Sequence, residues 1–124
     1  MPKYIILKFK MSLNNQIIHL KSLADFQALL KNESRGIIID FYADFCGPCK
    51  MIAPFFEKLA ASELHEYVCF CKVDIEEVPD IAEHLGVSAM PTFMGFKNEK
   101  KVAEVVGANK DSLLNLIKSI GGQN

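Results

Sequence analysis

Ile37-Ile38-Ile39-Asp40-Phe41-Tyr42 runs into Ala43-Asp44-Phe45 and then Cys46-Gly47-Pro48-Cys49-Lys50. The first six residues are β-branched or aromatic and apolar on both faces except at Asp40. Such a run reads as a central strand covered on both sides, where a carboxylate is out of place. A helical stretch is expected from Lys50 to about Ser62, and Pro54 inside it should bend it by removing a backbone donor. A strand leading into two cysteines at the mouth of a helix is a βα unit with thiols at its turn.

Upstream, Ile17, Ile18 and Leu20 read as a short edge strand. Ser22 with Asp25 resembles a capping box, and Leu23, Phe26, Leu29 and Leu30 recur at helical spacing up to a stop before Gly36. Downstream, Val68 to Val73 reads as a strand, Pro79 to Leu85 as a short helix closed by Gly86, and Thr92 to Phe96 as a strand. Lys97-Asn98-Glu99-Lys100 turns into a strand over Lys101 to Val106. Asn109 then caps a helix whose Leu113, Leu116, Ile117 and Ile120 share one face. Helices between the early strands imply parallel crossovers, and the tight turn implies an antiparallel pair. The fold class is therefore α/β, a mixed central sheet with helices on both faces.

The chain has 124 residues, 50% hydrophobic and 23% charged, with a net charge of -1. That length suits one domain, and the apolar content excludes intrinsic disorder. No apolar run approaches the ~18 residues of a membrane-spanning helix. Balanced charge gives no electrostatic reason to expect nucleic acid as a partner. Met1 to Lys10 carry three lysines and no acid but lack the long apolar region and cleavage site of a secretory signal. Residues 1–15 are read as an N-terminal extension and 16–121 as the compact domain.

Four cysteines are too few for a disulfide-stapled scaffold, so their placement carries the information. At a helix start, unpaired N–H groups and the helix dipole favour an anion, which makes Cys46 the nucleophilic thiolate. Cys49, one turn inward, can attack the mixed disulfide formed at Cys46. Pro48 removes a donor and stiffens the first turn, while Gly47 permits a close approach. A four-thiolate zinc site with Cys69 and Cys71 is the competing reading. Cys-x-Cys is not a usual zinc spacing, and no metal is expected. As a pair on one face of a strand, Cys69 and Cys71 read chiefly as small buried hydrophobes. His19, His65 and His84 stand in no motif relation to a nucleophile.

The segment Ile39 to Lys50, continued by Met51-Ile52-Ala53-Pro54-Phe55-Phe56, resembles the active-site segment of thioredoxins. Val73-Asp74, Val87, Met90-Pro91-Thr92-Phe93, Phe96-Lys97 and Val106-Gly107-Ala108 follow in that family's order and spacing, most similar to its eukaryotic cytosolic members. The resemblance implies the thioredoxin fold and a general protein-disulfide reductase working by dithiol–disulfide exchange, with Cys46 attacking and Cys49 resolving. It implies a proton-transfer role for Asp40, tuned by Lys72, and a cis-proline at Pro91. Substrate contacts are implied at Phe45, Gly47, Pro48, Met90, Pro91 and Gly107. No cofactor would be bound; reducing equivalents would come from NADPH through thioredoxin reductase. Disulfide-containing proteins such as peroxiredoxins would be partners of a cytoplasmic monomer. An alternative is a redox-gated binding module that regulates a partner. Phe45 departs from the family's tryptophan, and Glu99 stands where a turn glycine is common.

Overall fold

The computed structural model describes residues 17–122, so the expected extension over 1–15 lies outside the described residues. The elements run β1 (Ile17–His19), α1 (Leu23–Asn32), β2 (Gly36–Tyr42), α2 (Gly47–Ala60), a 3-10 turn (Glu63–Glu66) and β3 (Val68–Asp74). They continue with α3 (Pro79–Leu85), β4 (Thr92–Lys97), β5 (Lys100–Val106) and α4 (Lys110–Ile120). The five-stranded sheet has the order β1-β3-β2-β4-β5. β3 lies parallel to both β1 and β2, while β4 runs antiparallel to β2 and β5 to β4. The sheet is mixed, as expected, with β2 at its centre.

Strand parity sorts the core into two layers. Ile37, Ile39 and Phe41 of β2 join Cys69, Cys71 and Val73 of β3 beneath Phe26 of α1 and Ile81 of α3. The intervening residues, Ile38 on β2 and Val68 and Phe70 on β3, meet Ile52, Phe56 and Ala60 of α2 and Leu113, Leu116, Ile117 and Ile120 of α4. Phe56 is fixed edge-on against Phe70 at 5.4 Å between ring centroids. By the same alternation Asp40 and Lys72 fall on the α2 layer, side by side in register. The sequence thus places one carboxylate behind the helix that carries the cysteines.

Local expectations met three differences. The Ser22 hydroxyl accepts from the Asp25 N–H, but the Asp25 carboxylate reaches back to the Lys21 N–H, one residue short of a closed capping box. α1 ends at Asn32, with the Glu33 N–H bonded to the Leu29 carbonyl. That end lies inside the polar stretch before Gly36, as expected; Gly36 itself opens β2, where a Cβ would sit 2.5 Å from the Ile120 carbonyl oxygen of α4. α2 begins at Gly47, three residues before the expected start, because the Cys46 sulfur caps the Cys49 N–H and Pro48 presets the first turn. It runs unbroken through Pro54 and stops at Ala60, after which Ser62 caps a 3-10 turn that the hydrophobic pattern did not signal.

Candidate active site

The site gathers where β2 and β3 end, at the carboxyl edge of their parallel pair. Ala43 leaves β2 and accepts the Cys46 N–H at 3.1 Å, which sets Cys46 as the N-cap of α2. Cys46 and Cys49 are joined as a disulfide with a Cα–Cα distance of 5.2 Å. The Cys46 Sγ accepts the Cys49 N–H at 3.1 Å. In the reduced protein that donor and the positive end of α2 would both stabilise a Cys46 thiolate. The first turn of α2 carries no acidic residue to oppose it. Both cysteines are mostly covered, Cys46 at 8% exposure and Cys49 at 4%. The outer position is therefore the more accessible one.

Around the disulfide, Ala43 is packed with Tyr42, Ile75 and Met90. The Met90–Pro91 peptide is cis. Met90 lies just outside the β4 ladder, which begins at Thr92, so its backbone groups take no part in sheet pairing. The Pro91 carbonyl accepts the Gly107 N–H at 2.8 Å, tying the end of β5 to the proline. Gly107 has φ 100°, a conformation that glycine alone adopts without strain. A Cβ at Gly47 or at Gly107 would meet nothing within 4 Å, so both leave open surface on the disulfide's rim. Phe45 stands out into solvent at 71% exposure and Met51 at 65%.

Asp40 is 2% exposed, and its Oδ1 makes no hydrogen bond among the described residues. Burial pushes the carboxyl up from 3.8 to about 7; the nearby Lys72 ammonium pulls it down and the Glu57 carboxylate pushes it up. Lys72 does not spend its charge on Asp40 alone. Its Nζ lies 3.9 Å from Glu57 and 5.1 Å from the centroid of the Tyr42 ring.

Phe45, Cys46, Gly47, Pro48, Cys49, Met90, Pro91 and Gly107 thus come to one edge of the molecule, with Asp40 and Lys72 beneath. Two contributors escaped the sequence reading. Glu57 follows Cys49 by eight residues, two helical turns along one face of α2, and that spacing could have flagged it. Ile75 directly follows β3, and the ends of parallel strands are where α/β sites assemble. Cys69 and Cys71 belong to the opposite core layer and share no cluster with the disulfide.

The arrangement matches known proteins over most of its length. The Thioredoxin family model matches residues 17–119. Thioredoxin of Gallus gallus is 46% identical over 100 residues, covering 80% of this chain and 93% of that protein. Thioredoxin-2 of Saccharomyces cerevisiae is 41% identical over 103 residues, covering 83% of this chain and 97% of that one. Among solved structures, Malassezia sympodialis thioredoxin superposes with a TM-score of 0.81 at 38% identity, covering 86% of this chain and 92% of its own. Oxidised mitochondrial thioredoxin 3 of Saccharomyces cerevisiae gives 0.77 at 40% identity, covering 87% and 98%. Fold, cysteine pair and sequence agree, and the chain belongs to the thioredoxin family.

Proposed function

We propose that Cys46 and Cys49 carry out the family's chemistry in a fixed order. The protein is a thiol-disulfide oxidoreductase of cell redox homeostasis, and the family works without a bound cofactor. The Cys46 thiolate attacks one sulfur of a substrate disulfide; the substrate S–S bond breaks and the other sulfur leaves as a thiolate. The Cys49 thiol then loses its proton and attacks the Cys46 sulfur. The Cys46–Cys49 disulfide forms, the mixed disulfide breaks, and the substrate departs with two electrons gained. The observation carrying this order is the Cys49 N–H aimed at the Cys46 sulfur on the more exposed position. Asp40 accepts the Cys49 proton, a task suited to a carboxyl pushed to about 7, with Lys72 holding it in that range. Met90 offers backbone groups beside Pro91 for extended pairing with the substrate, and Phe45, Gly47, Pro48 and Gly107 line its path.

Oxidised protein is recharged by NADPH through thioredoxin reductase, and the compartment is cytoplasmic. Peroxiredoxins are a substrate class. Supporting this, a yeast chain 40% identical was solved for the thiol resolving mechanism in yeast mitochondrial 1-Cys peroxiredoxin via glutathione/thioredoxin systems. The exposed Phe45 ring also favours a second use of this groove, redox-gated docking of a regulatory partner. Binding that persists with Cys46→Ser and Cys49→Ser together would identify that use. The reductase reading is tested by mixing the folded protein with NADPH, thioredoxin reductase and a disulfide protein. Cysteine-dependent NADPH consumption is expected; none would overturn it. Cys49→Ser should accumulate a substrate adduct on Cys46, and an adduct on Cys69 or Cys71 would reverse the assignment.

A further inference from the structure

The mechanism leaves Cys69 and Cys71 unused. They alternate along β3, are 2% and 0% exposed, and hold their sulfurs 3.8 Å apart within the α1–α3 core layer. Two residues apart in an extended strand with parallel side chains, their Cβ atoms stand about as far apart as their Cα atoms, roughly 6.6 Å, whereas a disulfide needs Cβ atoms within about 4.5 Å. β3 is hydrogen-bonded on both sides, to β1 and β2, so its backbone is not at liberty to pucker and close that gap. The fold therefore keeps these thiols in contact while opposing their oxidation to a disulfide. A bridging atom asks for less. A two-coordinate ion takes a near-linear arrangement, so two metal–sulfur bonds of about 2.3 Å span about 4.6 Å, and rotation of the two side chains widens the 3.8 Å contact toward that span without moving the backbone.

The surroundings define what could bridge. No group of three or more metal-ligating His, Cys, Asp or Glu side chains occurs among the described residues. The Met94 thioether shares this core, but it belongs to the register row Cys71–Ile39–Met94, two strands and about 10 Å away beyond Ile39. Zinc, which asks for four ligands, is not satisfied there; a soft monovalent cation content with two thiolates is. Binding such an ion releases two thiol protons and leaves one net negative charge. The Cys69 contact and burial push the Cys71 thiol up and the Glu33 carboxylate adds to this, so the ion must displace both protons; the Arg35 guanidinium, anchored by Glu33 and the His65 carbonyl, pulls the other way.

We propose that Cys69 and Cys71 form a two-coordinate thiolate site for a soft monovalent cation of the Cu(I) class, separate from the Cys46–Cys49 pair. Access comes through opening of β3 or during folding, since neither sulfur is exposed.

The test uses the full chain with Cys46→Ser and Cys49→Ser, which leaves Cys69 and Cys71 as its only thiols. Under anaerobic conditions it is offered Cu(I) as the bicinchoninate complex, both folded and while refolding from urea. Uptake of one Cu(I) per chain, read by native mass spectrometry, is expected, with no retention of Zn(II) supplied in the same way. X-ray absorption should show two sulfur ligands and no nitrogen or oxygen. Adding Cys71→Val, an apolar replacement of similar size, should weaken uptake at least tenfold while circular dichroism stays native; Cys69→Val is the second such variant. Absence of Cu(I) uptake in both loading modes, retention of zinc, a third ligand, or undiminished uptake in a folded valine variant would each overturn the proposal.

Discussion

Asp40 is where a single residue shapes both stability and chemistry. Its carboxyl titrates near 7 when folded and near 3.8 when unfolded, so between those values the folded state binds the extra proton. Stability therefore falls as pH rises from 4 to 7, and above 7 the ionised carboxylate costs up to about 4 kcal/mol. Asp40→Asn should raise unfolding stability by up to that amount at pH 8 and scarcely at pH 4, as urea titrations at the two pH values will show. The same change should slow the Cys49 resolving step and remove its rise through pH 7, read by single-turnover reduction of a disulfide substrate. At Phe45 the ring stands in solvent, so Phe45→Trp should alter turnover by less than tenfold, under about 1.4 kcal/mol in barrier. Asp40 was legible in the sequence because a carboxylate interrupts an apolar strand. For Glu57 the spacing from Cys49 hints at the helix face but not at the partner, because its meeting with Lys72 depends on how α2 lies across β3.

At the scale of elements, two close contacts and one turn carry the sharpest expectations. At Gly36 an added Cβ meets the Ile120 backbone at 2.5 Å, whereas at Gly95 it meets the side chains of Leu116 and Ile120 at 3.0 and 3.1 Å. Side chains can turn away and a helix terminus cannot, so Gly36→Ala should cost more, about 3 kcal/mol against about 1 for Gly95→Ala in thermal unfolding. In the β4–β5 turn Asn98 and Glu99 have φ 53° and 67°. Asparagine tolerates that region and glutamate does not, so Glu99→Gly should stabilise by up to about 1 kcal/mol without altering activity. Most elements were readable because apolar spacing and caps such as Ser22 and Asn109 are local signals. Hydrophobic spacing alone misses the first turn of α2, which the Cys-Gly-Pro-Cys segment marks; the role of Gly36, set by a helix more than 80 residues away, is not written in local pattern.

For the whole molecule, the fold's contribution is a division of labour between two thiol pairs on opposite layers of one sheet. The strand alternation that buries Cys69 and Cys71 under α1 and α3 also turns Asp40 and Lys72 to the opposite layer, the side of α2. The mixed sheet was foreseeable from element order. That β4 runs antiparallel to β2, bringing Met90–Pro91 to the cysteine edge, follows from the chain's path around α3 and has no signature in either segment. Cys46 and Cys49, on this structure, form a reducing dithiol. Its poise is read by equilibrating the protein with defined ratios of reduced and oxidised glutathione and quantifying the Cys46–Cys49 disulfide by mass. A midpoint more reducing than the glutathione pool at about -240 mV is predicted, and one near -120 mV, where the pair would donate its disulfide to other proteins, would contradict it.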